Sequence, residues 1–126
     1  RGLRFKNNAM RGGTLENVFM RNVKIGRVGE AVLTIDLLYE EGAKGPFKPI
    51  VRNVQLDNIT STASPRVMYI RNFEGAIIDN IRISNSTFSG VTDTEVVSTS
   101  GSITLTNVSI IPAKATKSLN TVPGPK

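Results

Sequence analysis

Arg4 and Lys6 are the residues whose types and spacing first suggest chemistry in this sequence. They lie in "RGLRFKNNAMRGG", residues 1–13, interleaved with Leu3 and Phe5. An extended chain points successive side chains to opposite faces, so Leu3 and Phe5 share one face and Arg4 and Lys6 the other, with about 7 Å between the two cations. With the apolar face packed inward, such a strand presents a pair suited to one carboxylate: a guanidinium that can grip both oxygens and an ammonium that acts as a point charge. On its own the pattern has little specificity, because any half-exposed strand can carry two cations.

The chain offers few other reactive groups. It has no His and no Cys, which removes the commonest general base and metal ligand, thiol catalysis, disulfides and Cys-based metal sites. Neither a metal nor another cofactor is expected. The formal charge is +6, concentrated at one end: residues 1–30 hold seven basic side chains against Glu16 and Glu30, and the remainder is nearly balanced. A concentrated basic end favours an anionic partner. Nucleic acid is the weaker choice, since the chain has no Trp and only 6% aromatics to stack on bases. A membrane span is not expected, because no apolar run approaches the roughly 20 residues one needs. Length and 39% hydrophobic content describe a single folded domain or repeat array.

Something must position Arg4 and Lys6, and an internal repeat supplies it. "LENVFMRNVKI" (15–25), "VRNVQLDNITS" (51–61), "IDNIRISNSTF" (78–88) and "LTNVSII" (105–111) share an Asn, an aliphatic residue and a short β-prone stretch. The leading asparagines are read as Asn17, Asn53, Asn80 and Asn107, and a second set as Asn22, Asn58 and Asn85. Between them lie "LRFK" (3–6), "AVLTIDL" (31–37), "VMYIR" (67–71) and "EVVST" (95–99), which alternate as strands; no stretch has the spacing of an amphipathic helix. A unit near 27 residues built from short strands is the period of a parallel β-helix, so the expectation is an all-β solenoid of about four coils. "EEGAKGPFKP" (40–49) is the expected site of an inserted loop. Asn suits the corners because it tolerates the left-handed region, and stacked amides can bond one another. Asn58, Asn85 and Asn107 also begin Asn-X-Ser/Thr acceptor sequences, but the repeat already explains them. Coils are expected over 1–111 and a C-terminal arm or cap over 112–126, a tail with three Pro and one Gly.

"RGLRFKNNAMRGG" resembles the Arg-Ile-Lys segment of glycoside hydrolase family 28, the polygalacturonases and related pectin-degrading enzymes, with Phe5 where the family usually has Ile. "RNVKIGRVGEAVLTIDLLYEEG", the repeat and "ISNSTFSGV" extend the resemblance to about Pro112, as the C-terminal third of such an enzyme. The resemblance implies a right-handed single-stranded parallel β-helix, a secreted or periplasmic location, and hydrolysis of α-1,4-galacturonosyl bonds with inversion. It implies that Arg4 and Lys6 hold the substrate carboxylate, and that Tyr39 in "LLYEEG" lines the cleft. The family's Asn-Thr-Asp, Asp-Asp and Gly-His-Gly segments, which supply acid and base, lie upstream of the Arg-Ile-Lys position and have no counterpart here. Asp36, Glu40 and Glu41 are not promoted in their place, and Asp57 and Asp79 are read as corner residues.

The expectation is therefore the C-terminal fragment of a polygalacturonase-like hydrolase, beginning within an active site, with no catalytic residue of its own and inactive alone. Its partner would be acidic polysaccharide such as pectin. A first coil without a neighbour would also expose Leu3, Phe5 and a strand edge, so self-association through the N-terminal end is expected. Two alternatives stand beside this reading: a non-catalytic solenoid that binds acidic polysaccharide, and a structural or adhesion solenoid with a merely solvated basic end.

Overall fold

A computed structural model describes residues 2–39, 42–99 and 101–113. The chain alternates short and long strands: β1 (Leu3–Lys6), β2 (Thr14–Arg27), β3 (Ala31–Asp36), β4 (Ile50–Ala63), β5 (Arg66–Arg71), β6 (Ile77–Val91), β7 (Val96–Val97) and β8 (Ile103–Pro112). Short strands form one sheet in the order β1-β3-β5-β7, long strands a second in the order β2-β4-β6-β8, and every pairing is parallel. Such winding, in which each pass visits both sheets and pairs only with the pass before and after, is the expected parallel solenoid. No helix is present among the described residues.

The long strands are long because they bend rather than end. Asn17 and Asn22 in β2, Asn53 and Asn58 in β4, Asn80 and Asn85 in β6, and Asn107 in β8 all have φ between 51° and 59°. Each such residue reverses the inside–outside alternation locally and turns a corner. The amides bond along the stack: Asn53 Nδ2 donates to Asn17 Oδ1 at 2.6 Å, Asn58 to Asn22 at 2.8 Å, and Asn80 to Asn53 at 3.4 Å.

Asn107 departs from the sequence reading. It stands in register with Asn85 and not with Asn80, because Ile103 pairs with Ile81 and Val108 with Ser86, and its Nδ2 donates to Asn85 Oδ1 at 2.9 Å. The last pass is shorter than the 27-residue period, β8 starts only at Ile103, and opposite Asn80 stands Ser102, which has no left-handed φ and donates its N–H to Asp79 at 2.8 Å. The 36-residue pass does carry its extra length between β3 and β4, where the insertion was expected; Glu40 and Glu41 lie outside the described residues. Strand β7 is shorter than "EVVST" because the Glu95 carboxylate folds back to accept the N–H groups of Val67 (3.1 Å) and Met68 (2.6 Å). Strand β8 runs to Pro112, and the expected arm from residue 114 on lies outside the described residues.

Inside, the register stacks like on like. Val54, Ile81 and Ile103 form one column with Val18; Leu56, Ile83 and Leu105 another with Met20; Ile35 and Ile70 stand over Phe5. The middle members are fully buried, whereas Val18, Met20 and Phe5 at one end are half-buried and Leu105 and Ile110 at the other are exposed. Among the described residues the core is thus open at both ends.

Candidate functional site

Burial alternates along β1, with Leu3 and Phe5 packed against the core and Arg4 and Lys6 exposed on the outer face. The geometry drawn from the alternation is therefore present. Tyr39 belongs to the loop after β3, the next strand of the same sheet, and that loop folds back over β1. The Lys6 ammonium lies 4.5 Å from the centre of the Tyr39 ring and 3.5 Å from its hydroxyl, and the Arg4 guanidinium is 5.8 Å from the ring centre. The three residues anticipated from sequence thus meet in one place. A third cation, Arg11, joins them with its guanidinium 6.0 Å from the same ring. Sequence reasoning missed Arg11; the signal available was the "NNAMRGG" that follows Lys6, a turn-forming stretch that carries the cation back toward β1.

Asn8 is the pin that holds this arrangement. Its side chain is buried, donating to the Tyr39 carbonyl at 2.8 Å while its Oδ1 accepts the N–H groups of Met10 (3.0 Å) and Arg11 (3.1 Å). One amide therefore fixes both the segment bearing Tyr39 and the turn bearing Arg11. Backbone bonds add to it: Tyr39 N–H to Asn7 carbonyl at 3.2 Å, Ala9 N–H to Gly42 at 2.7 Å, and Phe47 N–H to Ala9 at 3.0 Å. The loops press so closely that a Cβ on Gly45 would stand 2.5 Å from the Ala9 carbonyl oxygen. A cleft of about 470 Å³ opens beside them, lined by Arg4, Lys6 and Gly12 together with Phe5, Leu37 and Val51, so it reaches toward the open end of the core.

Among the described residues three aspartates singled out by the sequence are already engaged. Asp36, which pairs with Lys6 across the strands, turns to Arg71, with Nη2 at 3.0 Å and Nε at 3.1 Å, and also accepts the Leu38 N–H at 3.0 Å. Asp57 accepts from Ser84 Oγ (2.8 Å) and Asn85 Nδ2 (2.9 Å), and these bonds hold its carboxyl below the usual value of 3.8. Asp79 is lowered in the same sense by the N–H groups of Ser102 and Asn80. Both aspartates are corner residues on the long-strand sheet, as read from sequence. Among the described residues the outer face around Tyr39 is therefore cationic and aromatic, with the charge an anion would need and no pair of free carboxylates for acid–base work.

No family model matches the chain, and no curated protein sequence matches it. Among solved structures it is similar to a hyperthermoactive exopolygalacturonase from Thermotoga maritima, at 30% identity with a TM-score of 0.77. The match covers 85% of this chain and 24% of that one, so the chain spans about a quarter of that enzyme's length. Two parallel sheets wound without a helix are the parallel β-helix of that neighbour, and they support the fold that the resemblance to family 28 implied.

Proposed function

We propose that the chain is the C-terminal part of a polygalacturonase-like glycoside hydrolase of family 28, which cleaves α-1,4-galacturonosyl bonds of pectin with inversion. In it, Arg4 and Lys6 hold the substrate carboxylate, with the Tyr39 ring against both cations. The observation that carries this reading is the convergence of Arg4 and Lys6 on Tyr39 at one outer face, in a chain 30% identical to an exopolygalacturonase over most of its length. In the parent the helix would be right-handed, as parallel crossovers nearly always are, with this chain supplying about four coils. The parent would be secreted or periplasmic, where its polymeric substrate is found.

Inverting hydrolysis needs two carboxyl groups flanking the bond, one to protonate the leaving oxygen and one to activate water. Asp36, Asp57 and Asp79 are each committed to ion pairs or corner bonds, and on this reading those two groups belong to coils outside this chain. The same observation favours a second reading, a solenoid that binds acidic polysaccharide without cleaving it. One assay separates them. The first reading expects no reducing sugar from polygalacturonate with the 126-residue chain, and in a cleaving parent a loss of roughly 10- to 150-fold in kcat/KM on Arg4→Ala or Lys6→Ala, as for a lost charge-assisted hydrogen bond. Turnover by the isolated chain would place catalytic carboxylates within it and overturn the assignment.

A further inference from the structure

Three cations around one tyrosine are more than one carboxylate requires. Arg4, Lys6 and Arg11 stand at 5.8, 4.5 and 6.0 Å from the centre of the Tyr39 ring. Among the described residues the ion pairs are made by Arg52, Arg66 and Arg71, and none by these three. Like charges held together repel, and an exposed cation–π contact returns only about 0.5–1 kcal/mol, so the ring by itself is a poor reason to gather them. Nor is Arg11 there by accident of a loose loop. Its backbone N–H is bonded to buried Asn8, whose amide also holds the Tyr39 carbonyl, so one side chain ties the turn that carries Arg11 to the segment that carries Tyr39.

We propose that Arg11 is a specificity-determining residue: with Arg4 and Lys6 it forms a three-cation site that takes two carboxylates of one uronate oligomer, and so selects a de-esterified galacturonate pair over a single sugar. This deepens the uronate reading above and rests on it. Arg4 and Lys6 neutralise the first carboxylate, and Arg11 meets the carboxylate of the neighbouring sugar.

The test is titration calorimetry of the 126-residue chain, native and as Arg11→Gln, Arg11→Lys and Arg4→Gln, with galacturonate, digalacturonate and succinate. The native chain is expected to bind digalacturonate about 10-fold or more tighter than galacturonate, the step expected for one further charge-assisted contact. Arg11→Gln should remove that preference while changing galacturonate affinity less than about twofold, Arg11→Lys should keep most of it, and Arg4→Gln should weaken both sugars. A preference that survives Arg11→Gln, or an equal loss for both sugars, overturns the role of Arg11 while leaving the uronate site standing. Succinate binding as tightly as digalacturonate overturns the sugar selection, since any dianion would then suffice. Failure of the folded native chain to bind either sugar overturns the uronate reading itself. Melting temperatures of the variants close the remaining escape: Arg11 is exposed, and Arg11→Gln should melt with the native chain.

Discussion

Thr34 is a single residue out of step with its surroundings. It lies on β3 between Arg4 and Tyr69 in register, nearly without exposed area, and its hydroxyl has no partner among the described residues. A buried hydroxyl without a partner costs about 1–3 kcal/mol of lost hydration. Thr34→Val keeps the branched shape and removes that cost, so the variant should melt at or above the native temperature in calorimetry, and a clear fall would show that the hydroxyl is bonded in solution. The aspartates make a second case. Asp57 and Asp79 are both held below the usual value of 3.8 by hydrogen bonds to their ionised forms. A carboxyl lowered in the folded state adds stability that is fully present above its ordinary pKa and is lost as pH falls through the lower folded value. The urea midpoint should therefore drop on acidification from about pH 6 to about pH 3, and Asp57→Asn should show a shallower drop; an equal slope in the variant would exclude Asp57 as a contributor.

At the scale of the strand, the corner asparagines do two jobs that substitution can separate. Asn58 holds φ at 56° and donates to Asn22 at 2.8 Å. Alanine keeps neither the low cost of the left-handed region nor the amide bond, whereas glycine restores the first and loses only the second. Asn58→Ala should cost about 2 kcal/mol and Asn58→Gly about 1, the reverse of the usual order for a strand interior, as read from denaturant unfolding. Corners of this kind are also why so much of the fold was legible. The repeated Asn and the alternating runs announce the strands, and "LRFK" matches β1 to the residue. Asn107 belongs to the second set of corners because its pass has no leading Asn: opposite Asn80 stands Ser102, tied to Asp79 by its backbone N–H, a bond that no pattern of side chains reveals. At the site, Arg4 and Lys6 follow from alternation along one strand. Tyr39 needed the family resemblance, and Arg11 and Asn8 needed the folded loops, since the contact of Asn8 with Tyr39 spans 31 residues and depends on how two connections pack.

At the scale of the whole molecule, the described residues form a stack with two unfinished ends. Phe5, Val18 and Met20 are half-buried at one, and Leu105, Ile110 and Ile111 are exposed at the other, with the outer edges of β1 and β2 unpaired among the described residues. Open parallel edges next to apolar surface favour pairing with a further chain. We expect the 126-residue chain to associate as its concentration rises, and sedimentation velocity checks it: one monomeric boundary across the accessible range would refute the idea, and a lysine at Val18 should suppress association. The manner of that association follows from the asparagine ladders. In each amide bond of the ladder the nitrogen belongs to the later pass and the oxygen to the earlier one, from Asn53 to Asn17, Asn58 to Asn22 and Asn107 to Asn85. The ladder has a direction, like a row of arrows. Asn17 and Asn22 have donors to spare for a pass before them, and Asn107 an acceptor for one after. Two copies meeting by their N-terminal ends would set donor against donor, while head to tail the Asn22 amide meets the Asn107 oxygen and that ladder continues, with Ser102 rather than an amide opposite Asn17. For the isolated chain we therefore expect a two-fold dimer to be the disfavoured product of association and head-to-tail growth along the stack axis the favoured one.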